Sequence, residues 1–254
     1  MGTWLVASAL LMPLIGTANA QAVSATASGS QTAALDPADL SPEAAASQRA
    51  AESGSPVEVS AETTPTQLVT AQPDGTFTVG FDPVPVRVKK ASGWIPVDTT
   101  LETTSSGAVV PKASAADVTF SGGGSQDALA SITRDGKTYR VGSPWALPVP
   151  VLSGSTATYA DVMPGTDLAV QATPDGFSEN LVVKSRDAAQ VAGLSSISFP
   201  VSVDGVSAHD TGSGGAAFVD GQGRPVFTTG TALMYDSSNA VSAPAAGSST
   251  LSKA

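Results

Sequence analysis

Five Asp-Gly pairs punctuate the middle of the chain: Asp74-Gly75, Asp135-Gly136, Asp175-Gly176, Asp204-Gly205 and Asp220-Gly221. Asp-Gly supplies the positive φ angles that tight hairpin turns require, and between alternating apolar segments it is a strong local signal for two antiparallel strands. The flanks alternate. Phe77, Val79 and Phe81 share one parity after the first pair, and Val84, Val86 and Val88 follow before Trp94. Leu168, Val170 and Ala172 lead into Asp175-Gly176, and Leu181-Val182-Val183 return from it. Ile197, Phe199, Val201 and Val203 run up to Asp204-Gly205, and 226–229 and 233–235 close the region. Period-2 segments broken by turns predict an all-β fold: an antiparallel, β-sandwich-like domain built from hairpins over about 65–236. A domain of about 150 residues buries around 70% of its unfolded surface, enough for one sandwich or two small packed sheets. Within that domain helix is expected only as a single turn over 187–191.

The ends read differently. Residues 21–64 are rich in Ala, Ser, Thr and Pro, with six carboxylates (Asp36, Asp39, Glu43, Glu52, Glu58, Glu62) against Arg49. Such a segment buries too little apolar surface to offset its ordering entropy, so disorder is expected, with a transient helix entering at Ser41-Pro42-Glu43. Residues 237–254 read as a linker-like tail. At the other extreme, Trp4–Ile15 is an apolar run interrupted only by Ser8, followed by Ala18-Asn19-Ala20. Small residues at Ala18 and Ala20 form the A-x-A pattern of a secretory signal peptide over 1–20, with cleavage before Gln21. The run is too short to span ~30 Å of hydrocarbon, which needs about 20 apolar residues, so no membrane association is expected after cleavage. No Lys or Arg precedes the run, which predicts a start codon upstream that would supply a basic leader. The expected location is extracellular.

Composition narrows the chemistry. The net charge of −10 opposes binding to nucleic acid, which needs clustered cations to displace counterions. The densest basic group, Arg87, Lys89 and Lys90, alternates between strand faces and reads as a solvated edge. The absence of cysteine removes disulfides, thiolate metal sites and Cys nucleophiles. His209 is the single histidine, in a polar Gly-rich stretch with no G-x-S-x-G elbow elsewhere, so it reads as an exposed loop residue rather than a triad base. One His and no Cys give no metal site. Asp161, Asp167, Asp175 and Glu179 cluster in sequence and are the carboxylates a glycosidase would use. Their places beside Pro164-Gly165 and in a hairpin turn favour turn-capping roles instead. The G-x-G-x-x-A string over 212–217 lies between strands without a following helix, so it reads as a loop, not a dinucleotide site. No cofactor and no catalytic residue is expected. Trp94, Trp145, Tyr139 and Tyr159 are the side chains from which a carbohydrate-stacking site would be built. In a chain with few aromatics they equally read as core anchors.

One series of segments carries a resemblance. It comprises Trp94–Leu101 (WIPVDTTL), Phe120–Gly124 (FSGGG), Ala157–Leu168 (ATYADVMPGTDL), Gly176–Lys184 (GFSENLVVK), Gly223–Phe227 (GRPVF) and Met234–Ser238 (MYDSS). Together these resemble the N-terminal β-rich module of large secreted actinobacterial proteins, where similar modules precede LamG-like jelly rolls, DNRLRE domains or RHS/YD-repeat regions. The resemblance covers about 94–238 and implies a secreted structural or interaction module with no catalytic residues to carry over. It also implies partners among the downstream domains of a longer exoprotein; cell-wall polysaccharide is the partner expected if the Trp and Tyr side chains form a stacking site.

Overall fold

The computed structural model describes residues 40–124, 128–212 and 214–234. The signal run, its cleavage residues Ala18, Ala20 and Gln21, residues 21–39, Tyr235 and the 237–254 tail lie outside the described residues. The chain forms two compact units. The first runs to Ile132 and resumes over Arg140–Pro200; the second takes Thr133–Tyr139 and the chain from Val201 onward. Both are built of antiparallel strands, and the fold is all-β and sandwich-like, as the turn pattern predicts.

Over the described residues 40–64 the expectation of disorder is corrected, beginning with the first element, α1 (Pro42–Ser53). Ser41 caps it by accepting the Ala44 N–H at 3.3 Å, Pro42 opens its first turn, and Gly54 closes it at φ 64°. Its burial rests on Ala46 and Ala50, one turn apart and both fully buried. They pack with Val59, Val69 and Ala71, with Val57 at the margin. Alanine loses no side-chain entropy on ordering and lets backbones approach closely, so a face with no large apolar residue still forms a small core. The sheet beneath is β1 (Val57–Glu58), β2 (Gln67–Ala71) and β3 (Phe77–Phe81), in that order. Asp74-Gly75 makes the β2–β3 turn, with Asp74 Oδ1 accepting the Thr76 N–H at 3.0 Å.

Next, β4 (Arg87–Lys90) and β5 (Gly93–Pro96) pair as a two-stranded ribbon. Then β6 (Asp98–Thr103), β7 (Val109–Ala113), β8 (Asp117–Phe120), β9 (Ala130–Arg134) and β10 (Lys137–Val141) lie side by side in chain order. A second sheet holds β11 (Val151–Ser153), β12 (Thr156–Met163), β13 (Thr166–Ala172) and β14 (Phe177–Val183). Within the first unit, β6 contacts β11, β12 and β13 across the core. Val109, Phe120, Leu129, Ala157, Tyr159, Leu168 and Val170 fill that core at 1% exposure or less. Phe120 meets Phe177 edge-on at 5.9 Å, and the Tyr159 hydroxyl donates to Ser121 O at 2.7 Å. Burial pushes the Tyr159 phenol well above its ordinary range, which suits a permanent donor. The Phe120–Gly124 run closes one end: a Cβ on Gly122 would strike the Gly107 carbonyl, and one on Gly123 (φ 89°) the Pro148 carbonyl. A single 3₁₀ turn, Ala188–Gln190, stands where the helical turn is expected.

In the second unit, Asp135 (φ 50°) and Gly136 (φ 71°) form the two-residue turn between β9 and β10, the double positive φ of a type I′ hairpin. β15 (Val201–Asp204) lies beside β10. Asp204-Gly205 is not a hairpin. β15 and the following β16 (Ser207–Asp210) belong to different sheets, and the expected strand through Ile197 and Phe199 begins only at Val201. Pro200 has no N–H to give a ladder, so alternation alone overstated that strand. β16 pairs with β17 (Ala216–Val219), and β17 with β18 (Pro225–Thr228). Asp220, its side chain only 3% exposed, builds the β17–β18 turn by accepting the Gln222 and Arg224 N–H groups and pairing with the Arg224 guanidinium at 2.7 Å. His209 is exposed, as expected, but sits on β16 opposite Ala217 rather than in a loop.

Candidate functional site

The four aromatic side chains singled out for carbohydrate stacking do not converge. Tyr159 is fully buried on β12. Trp145, half-buried, meets Phe199 edge-on at 5.8 Å. Trp94, on β5, is half-buried; its Nε1–H donates to Ser60 O at 3.3 Å and Lys89 Nζ lies 5.8 Å from its ring. Tyr139 belongs to the second unit, where it packs on Phe218 at 4.8 Å and on Phe227 at 6.3 Å. Each ring is engaged by neighbouring groups of the fold.

The carboxylates are likewise separated, and by strand parity. On β13, Leu168 and Val170 point into the core, so Asp167 points to the opposite face. Glu179 sits directly across from Val170 on β14, which places it on the core-side face. Asp167 and Glu179 therefore lie on opposite sides of one sheet. Desolvation by the surrounding protein raises the Glu179 carboxyl pKa, and a hydrogen bond from its own backbone opposes that rise. Asp161 and Asp167 are brought together, around a cation. Lys184 Nζ lies 3.0 Å from Asp161 and 2.6 Å from Asp167, and Asp167 also accepts the Asp161 N–H at 2.8 Å. The Lys184 hydrogen bond holds Asp167 below the usual carboxylate range, and Asp167 in turn holds Lys184 above its own. This is a corner that fixes Asp161 at φ 49°, the turn-capping role its Pro-Gly neighbour implies. Asp175 lies in the β13–β14 turn, which Thr173 N–H closes on Gly176 O at 2.9 Å. Among the described residues no cluster of three His, Cys, Asp or Glu side chains is placed to hold a metal, and no helix is long and apolar enough to cross a membrane.

A run of exposed apolar side chains lies on β3. The pairs Gln72–Thr76 and Thr66–Asp82 are hydrogen-bonded, the N–H groups of Gln72 and Asp82 donating at 2.8 Å. Antiparallel alternation then turns Thr78 and Gly80 toward β2, and the backbone N–H and C=O groups of Phe77, Val79 and Phe81 away from it. Among the described residues β3 is the last strand of its sheet, so these groups face an open edge there. The same three residues share the face with Ala71, Val69 and Gln67, as the register requires. α1 covers that face over β1 and β2 and leaves Phe77, Val79 and Phe81 at 41%, 38% and 74% exposure. Val84 and Val86, a few residues further along the chain, are exposed as well. Parity in the sequence groups Phe77, Val79 and Phe81 on one face. Their exposure depends on how far α1 reaches, and strand patterning carries no signal for that.

The fold and this surface define an all-β chain of hairpin-linked antiparallel sheets in which β3 presents an open, uncharged edge among the described residues. No protein-family model, no curated protein and no solved structure matches the chain.

Proposed function

We propose that the chain is a secreted, non-catalytic structural or interaction module of an exoprotein. One observation carries the reading: β3 sets three exposed apolar side chains beside outward-facing backbone groups on an uncharged edge that no described strand covers, the geometry that recognises another polypeptide by strand addition. The opposed placement of Asp167 and Glu179 and the Lys184 clamp on Asp161 and Asp167 agree with a role without hydrolysis. Full hydrolytic activity lost on Asp161→Asn or Asp167→Asn would argue against it. Export is carried by the Trp4–Ile15 run and the Ala18/Ala20 site; the intact mass of protein recovered from the medium should begin at Gln21. Retention of residues 1–20 would remove secretion from the proposal.

A second reading, a carbohydrate- or cell-wall-binding module, is favoured by one observation: Trp94 and Trp145 remain half-exposed. They are the two tryptophans left after processing at Gln21. Acrylamide quenching of tryptophan fluorescence separates the two readings. No change on adding wall polysaccharide is expected from the first, and protection of the indoles would establish the second in its place.

A further inference from the structure

We propose that β3 is a self-recognition strand, pairing antiparallel with β3 of a second copy of this chain about a twofold axis at Val79. This rests on, and names the partner for, the interaction-module reading.

The sequence Phe77-Thr78-Val79-Gly80-Phe81 reads the same in apolar positions from either end. An isologous contact places one patch against itself, so a palindromic strand is the pattern it demands. Centred on Val79, the pairing sets Phe77 against Phe81 of the partner subunit, and Val79 against its own equivalent. Every residue that turns its N–H and C=O outward then meets another that does the same, and all three pairs exchange backbone hydrogen bonds. A one-residue slip would break both matches at once. Charge fits as well: Asp82 falls opposite a Thr76 position and Asp74 opposite a Val84 position, so no like charges face each other.

Edge strands ordinarily carry a device against such pairing. Among the other described edge strands a charge or a proline supplies one: Glu58 on β1, Lys89 and Lys90 on β4, Pro96 on β5, Asp98 and Glu102 on β6, Glu179 on β14, Asp204 on β15, Asp210 on β16 and Pro225 on β18. β11 is three residues long. β3 has no charge, no proline and no bulge along its register with β2. A single strand pair buries less than the roughly 1,200 Å² of a stable interface, so the dimer is reversible. The net charge of −10 per chain makes it stronger at high salt.

Sedimentation velocity over a concentration series tests this. The purified chain is expected to show a monomer–dimer equilibrium that added salt shifts toward dimer. Val79→Lys and Val79→Glu each place like charges at the twofold centre and should weaken the dimer on the order of tenfold or more. Mixing the two variants should restore it, because only this register brings position 79 against itself. A wild-type chain monomeric at every concentration and salt would overturn the proposal, as would a dimer unaffected by Val79→Lys. Should the variants fail to fold, hydrogen exchange on the wild type decides: amide protection at Phe77, Val79 and Phe81 must rise with concentration, and concentration-independent exchange there overturns the pairing. A monomer that captures another polypeptide along β3 would end the self-pairing and keep the interaction module. Indoles protected by polysaccharide would end the module reading and leave the dimer standing.

Discussion

Tyr159 illustrates how much one side chain can fix in a fold without disulfides. Its ring is enclosed and its hydroxyl satisfies a buried carbonyl 38 positions away in sequence, at Ser121. Tyr159→Phe keeps the ring but strands that acceptor, and should cost about 1–2 kcal/mol in urea unfolding. Thr166 presents the reverse case. Its hydroxyl is buried at the start of β13 without a hydrogen-bond partner among the described residues. Thr166→Val removes an unsatisfied polar group at constant shape, and should raise stability by about 1 kcal/mol in the same assay. A loss of that size instead would show that the hydroxyl is bonded after all. Aromatic scarcity favoured core anchoring of Tyr159 from sequence. Nothing local in Thr-Asp-Leu marks the Thr166 hydroxyl as unpaired, because that depends on three strands meeting.

Among the elements, α1 exists through its ends and through two alanines. Ser41→Ala should cost about 1 kcal/mol and speed amide exchange in the first helical turn, leaving β12–β14 protected. Its cap was legible in Ser41-Pro42-Glu43. Its permanence was not, because apolar counting gives little weight to alanine and cannot see Val59 and Val69 approaching from a later sheet. The hairpins were legible where Asp-Gly lies between alternating strands, at β2–β3, β9–β10, β13–β14 and β17–β18. Asp204-Gly205 has the same dipeptide but passes from one sheet to another, a long-range pairing choice that two residues cannot encode. The β17–β18 turn also gives a pH prediction. Bonding to the Arg224 backbone and then to its guanidinium holds Asp220 below its ordinary value, near 3.8. A carboxylate depressed by folding contributes stability that is complete above its unfolded pKa and lost as pH falls through the folded one. Melting temperature should therefore decline from about pH 4 downward, and Asp220→Asn should start lower and decline less steeply. Equal slopes would dissociate Asp220 from acid sensitivity. Asp74, Asp98 and Asp167 are depressed too, each by hydrogen bonds to a neighbouring side chain, and deepen the wild-type decline.

At the scale of the whole molecule, the second unit is assembled from two stretches of chain that are far apart in sequence. Thr133–Tyr139 is joined there by the described residues from Val201 to Met234, and the Tyr139 ring rests on Phe218 and Phe227. A chain ending at Pro200 should lose exchange protection over 133–139 while the sheet around Tyr159 retains it. Uniform loss would mean that the first unit depends on residues after 200. The discontinuity also bears on inheritance and synthesis. A block cut from Val201 onward would lack the β9–β10 turn, so recombination at that boundary cannot hand this unit to another protein as a working cassette. During translation, moreover, the Asp135-Gly136 hairpin leaves the ribosome well before the aromatic rings that Tyr139 packs against have been made.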